Sequence, residues 1–69
     1  MTLLTPMAEF ETALPAEHRR LLRYFQRRAG RDAAPDLVQE AFARLYGCEK
    51  LATLDQPQAY LTRIARNML

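Results

Sequence analysis

Three side chains in the stretch DLVQEAFARLY, residues 36–46, have the types and spacing for recognition rather than reaction. Asp36, Gln39 and Glu40 fall at i, i+3 and i+4, so on a helix they lie side by side. Two carboxylates and an amide so placed can receive arginine forks and hydrogen-bond a partner helix. By pattern alone, such a set is more often just a solvated helix face. A second set near the end of the chain, Arg63, Arg66 and Asn67, has different chemistry. It is two cations and an amide on the outward side of a helix, with no acid among them. Catalysis finds no support. One cysteine, Cys48, and one histidine, His18, fall short of the usual zinc sets. There is no nucleophile–base pairing and no glycine-rich phosphate loop. Cys48 reads as a small buried hydrophobe and His18 as a helix residue at the edge of the core. Neither a metal nor a cofactor is expected.

These residues need helices to position them. β-branched residues never alternate over a strand-length run, so the chain reads as all-α: a small bundle of three main helices, with a short extra N-terminal helix. Thr5-Pro6 has the form of an N-cap followed by proline at the first helical position, predicting a turn or two over 6–13. Pro15 forces a kink or restart. From Ala16 to Ala29, Leu21, Leu22, Phe25 and Ala29 make an apolar face, extended by Leu14 and His18, and Arg20, Arg23 and Arg27 a solvated stripe. Gly30 suits the left-handed position that ends a helix. The next helix starts after Asp32 as N-cap, tolerates Pro35 in its first turn, buries Leu37, Val38, Ala41, Phe42 and Leu45, and stops at Gly47. A connector, 48–54, packs Leu51 and Leu54 inward. Asp55-Gln56-Pro57 then restarts a helix with Asp55 as cap. In it Leu61, Ile64, Ala65 and Met68 face inward, Tyr60 lies at the margin, and Thr62, Arg63, Arg66 and Asn67 face out.

Sixty-nine residues make at most one small domain with a marginal core. A single cysteine allows no internal disulfide, consistent with a reducing compartment. Met1 to Leu4 has neither a basic start nor a long apolar run, and no stretch is long enough to span a bilayer. The expectation is a cytoplasmic location without membrane insertion. The net charge of +2 hides alternating blocks: three acids and no Lys or Arg in 1–18, then six arginines and no acid in 19–31. Acid dominates again over 32–58, and Arg63 and Arg66 close the chain. Blocks of this kind point to faces of different sign and different partners.

With the helices placed, RDAAPDLVQEAFARLY followed after a gap by LDQPQAYLTRIARNML resembles region 2 of the extracytoplasmic-function (ECF) sigma factors, of the sigma-70 family of bacterial transcription initiation factors. RRLLRYFQRRAG is similar to the preceding conserved helix, so the resemblance covers residues 16–69, with 1–15 as a lead-in. The connector LATLDQPQAYL resembles the iron-uptake group, which responds to ferric siderophores.

The resemblance implies that the DLVQEAF helix docks on the β′ coiled coil of RNA polymerase core through Asp36, Gln39 and Glu40. It implies that the last helix recognises the −10 promoter element and holds its melted strand through Arg63, Arg66 and Asn67, with residues 48–56 helping to form a base pocket. Tyr60 either stacks on a base or belongs to the core. Thr62 either touches phosphate or does nothing. For the arginine stripe, duplex DNA, polymerase, an acidic anti-sigma factor, internal pairing with Glu17 and Asp32, and plain solvation all stay open. An anti-sigma factor is an expected regulator. The family's −35-reading domain lies outside these residues, and the helical pattern still runs at Leu69, which reads as a piece of a longer chain. Two other readings compete. A helix-turn-helix joins its two helices by a turn of about 3–4 residues, shorter than the connector here. A helical interaction module without a DNA role leaves Arg63, Arg66 and Asn67 unexplained.

Overall fold

In the computed structural model, which describes residues 5–69, four helices occur in the order α1 (Pro6–Thr12), α2 (Leu14–Ala29), α3 (Ala34–Tyr46) and α4 (Pro57–Met68). A single 3₁₀ turn, Leu51–Thr53, lies between α3 and α4. The described residues contain no strand, in keeping with the all-α reading. Met1 to Leu4 lie outside the described residues.

Each of the four prolines occupies the first turn of a helix, where its missing N–H costs nothing. Thr5 caps α1 as expected: the Ala8 amide donates to its Oγ1 at 3.1 Å. Ala13 both ends α1 and opens α2, so Pro15 marks a restart rather than a kink. Two expected caps are not made. The N-cap of α3 is Ala33, because Arg31–Ala33 form a turn and the Ala34 amide already donates to the Gly30 carbonyl at 3.2 Å. The N-cap of α4 is Gln56, since Pro57 holds the residue before it out of the helical region; Asp55 lies one position too early. Gly30 has positive φ, but with ψ 165° rather than the left-handed helical value. The chain therefore leaves α2 through an extended conformation that only glycine adopts readily.

α3 is the centre of the bundle, packing most extensively on α2 and then on α4. Its buried row, Ala34, Val38, Ala41 and Leu45, meets Leu21 and Phe25 of α2 and Leu61 and Ala65 of α4 in one core. Leu37 and Phe42 are only half-buried, flanking that row. Ile64 and Met68 are likewise half-buried but packed on the core, whereas Ala29 is exposed at the end of α2. Met7 and Phe10 of α1 join the core. Phe10, Phe42 and Tyr46 form an aromatic run, their rings 6.5 Å apart in each step, and His18 lies nearly parallel to Phe42 at 6.1 Å. His18 is thus exposed yet packed at the core edge.

One buried residue is charged. Glu17 is 7% exposed. Its Oε1 accepts from Arg20 at 2.8 and 3.1 Å, and its Oε2 accepts from Gln58 of α4 at 2.6 Å. A carboxylate so satisfied ties the start of α2 to the first turn of α4, forty-one residues later. Glu17→Ala should lower stability by about 1–3 kcal/mol, and Glu17→Gln by less, in urea unfolding followed by circular dichroism. An unchanged midpoint for the alanine variant would rule out the tie. Gly30→Ala should cost about 1–3 kcal/mol through backbone strain alone, because no atom lies within 4 Å of the added Cβ.

Candidate binding surfaces

The outer side of α3 is built by its inner side. Burying Ala34, Val38, Ala41 and Leu45 fixes the rotation of the helix, and at about 100° per residue that places Asp36, Gln39, Glu40 and Ala43 within an arc of roughly 100° facing away. All four are exposed. Asp36 lies in the first turn, where the helix dipole favours a carboxylate. Glu40 is not free: Arg44 Nη2 donates to its Oε2 at 2.8 Å. Both side chains are 54% exposed, so this pair is worth well under about 1 kcal/mol and a partner's cation can replace it. The structure brings the three predicted residues together on one face and adds that internal partner.

The residue reading missed Tyr46, the one exposed large hydrophobic of the described residues apart from Leu69. It stands two turns beyond Gln39 on the flank of the same face. Burial and then the Glu11 carboxylate raise the pKa of its phenol, keeping it neutral. The signal was available in sequence as an aromatic at i+7 from Gln39.

α4 presents a second surface. Burial of Pro57, Leu61 and Ala65 leaves Tyr60, Arg63, Arg66 and Asn67 on about a third of the circumference. Arg63, Arg66 and Asn67 are exposed and Tyr60 is half-buried, packed on the core. Tyr60 also meets the connector. The neighbouring Cys48 thiol, and then burial, raise the phenol pKa against the lowering effect of Arg63. Tyr60 thus packs on the core while part of its ring stays in water. The Thr62 hydroxyl donates to the Gln58 carbonyl at 3.0 Å, which occupies its proton within the helix. Neither Arg63 nor Arg66 has a carboxylate within ion-pair distance among the described residues.

An open groove between α1 and residues 55–59 is lined by Phe10 and Pro57 but also by Glu9, Glu17 and Asp55. Those acids repel phosphate, so the groove does not extend the α4 surface. Among the described residues no three His, Cys, Asp or Glu side chains are grouped to hold a metal, and no helix is long and apolar enough to cross a membrane.

The chain matches no curated protein and no solved structure. The family model for sigma-70 region 2 matches residues 14–69, from the first residue of α2 to the end of the chain. Sigma-70 region 2 is the promoter-recognition module of sigma factors, which work with RNA polymerase core and promoter DNA. With more than half of its length matched, and with one acid-and-amide face and one basic face on adjoining helices, the chain belongs to the sigma-70 region 2 family.

Proposed function

We propose that this chain is the region 2 domain of an ECF sigma factor, with residues 16–69 as the domain proper and α1 packed onto it, acting in the bacterial cytoplasm. The observation that carries this reading is the pair of unlike surfaces on α3 and α4, each contiguous and exposed and each on a helix whose opposite side is buried in the one core. Asp36, Gln39 and Glu40 dock on the β′ coiled coil. Tyr46 supplies the apolar anchor that a polar face alone lacks.

The α4 surface recognises the −10 element and helps to hold it open. Arg63 and Arg66 contact phosphate and Asn67 reads a base edge. Tyr60, half-buried at the margin of α4, offers its ring as a stacking surface to an unstacked base next to the connector. An anti-sigma factor that covers either surface would silence the domain. The connector LATLDQPQAYL favours the iron-uptake group.

Calorimetry against a β′ coiled-coil peptide tests the first half. Roughly micromolar or tighter binding is expected, with at least about a tenfold loss in the Asp36→Ala/Gln39→Ala/Glu40→Ala variant. A folded chain that binds no such peptide would return it to the class of helical interaction modules. For the second half, titration with a labelled single strand carrying a −10 element should separate the roles. Asn67→Ala should lose about 1–3 kcal/mol of preference between cognate and altered bases, while Arg63→Ala/Arg66→Ala weakens all strands alike and reduces the salt slope by about 1–2. Equal losses of base preference in both variants would refute that division.

A further inference from the structure

The arginines of α2 take no part in either surface. Six of the ten Lys and Arg residues lie between 19 and 31, leaving four against eight acids in the rest of the chain. Two of the six are occupied. Arg20 is held by Glu17 at 2.8 Å, and Arg28 lies over the Tyr24 ring, 5.2 Å from its centroid. Arg19, Arg23 and Arg27 are exposed, and none has a carboxylate within ion-pair distance among the described residues. They step along α2 at four-residue intervals, about 6 Å apart along the axis and turning only about 40° per step. The result is a row of guanidinium groups without ion-pair partners among the described residues that winds gently along one side of α2.

Such a row suits a regular polyanion. Duplex DNA presents one phosphate per strand every ~3.4 Å of its axis, so three cations spaced over about 12 Å can each find one. A protein partner fits the row less well. Interface cores are depleted in charge and rest on aromatic or aliphatic anchors, and α2 exposes no large hydrophobic side chain. Six of the ten basic residues concentrated in this one segment also give the row a local field of one sign, which draws a polyanion toward α2.

We propose that Arg19, Arg23 and Arg27 form a second nucleic-acid site, a sequence-independent seat for the phosphate backbone of duplex DNA on α2, distinct from the base-reading surface of α4. It supplies affinity and orientation and carries no base information. The site stands on the α2 geometry alone and does not require the roles assigned to α3 and α4.

The test is fluorescence anisotropy of the whole chain with a labelled, fully paired duplex of arbitrary sequence, between roughly 50 and 200 mM salt. Each phosphate contact adds about 0.9 to the slope of log K against log salt, so Arg19→Ala/Arg23→Ala/Arg27→Ala should flatten it by about 2–3. The corresponding triple lysine variant should keep most of the slope. Arg44→Ala/Lys50→Ala, which lowers net charge away from α2, should change it far less. All of these positions are exposed, so the variants should retain the helical circular dichroism of the parent. Absence of duplex binding by the parent at the lowest salt, an unaltered slope in the alanine triple, or an equal change in the Arg44/Lys50 control would each overturn the proposal. So would an alanine triple that keeps duplex binding while losing capture of poly-glutamate, which would assign the row to an acidic protein instead.

Discussion

Packing along one side of α3 is the constraint on which both surfaces depend. Ala34, Val38, Ala41 and Leu45 are completely removed from solvent, and two of the four are alanine. Small side chains at those points let α2 and α4 close on α3 with Phe25, Leu21 and Leu61 filling the space between. Because side chains three and four apart share a helix face, burying this row leaves no freedom in where Asp36, Gln39 and Glu40 point. A core this small tolerates little damage: truncating a fully buried aromatic such as Phe25 removes a share of stability comparable to what a marginal domain possesses.

The second constraint is polar. Hydrophobic contact holds α4 against α3, but contact of that kind is non-directional and permits sliding. Glu17 adds direction. Its carboxylate takes Gln58 from α4 and Arg20 from its own helix, and all its acceptors lie where α1, α2 and α4 converge. The same bond therefore sets the start of the helix that carries Tyr60, Arg63, Arg66 and Asn67. It also withdraws Arg20 from the α2 row, so the row that remains is Arg19, Arg23 and Arg27.

Much of this was legible in the residues, for identifiable reasons. Four prolines open four helices because the first turn is where a helix accepts proline, and the helical periodicity of Leu, Val, Phe and Ala marked the inward sides. The grouping of Asp36, Gln39 and Glu40, and of Arg63, Arg66 and Asn67, followed from spacing alone. The caps at Asp32 and Asp55 misled because a favourable residue type says nothing about whether the backbone turns at that residue or the next; Pro57 decided the second case. Glu17 was readable as an acid near arginines, but its burial depends on Gln58, and nothing local in either segment announces a contact forty-one residues away. Tyr46 is the opposite case: its place at i+7 from Gln39 puts it on the outer face, and only its exposure in the folded chain distinguishes it from the half-buried aromatics beside it.

Charge in this molecule is segregated rather than paired, and the segregation bears directly on binding. Among the described residues only two ion pairs form, and both join neighbours on the same helix. The Glu17–Arg20 pair is partly buried and structural. The Glu40–Arg44 pair is open to solvent on both sides, so breaking it costs well under about 1 kcal/mol. Yet while it lasts it restrains the Glu40 side chain, sparing a docking partner part of the rotamer entropy that an unrestrained glutamate loses on binding. In the docking proposed for α3, a partner arginine that took over Glu40 would release Arg44 to water and gain a charge-assisted bond in a less solvated place, where such a bond is stronger. There, the gain from that less solvated bond against the small cost of releasing Arg44 decides whether the surface ion pair prepares the site or competes with it.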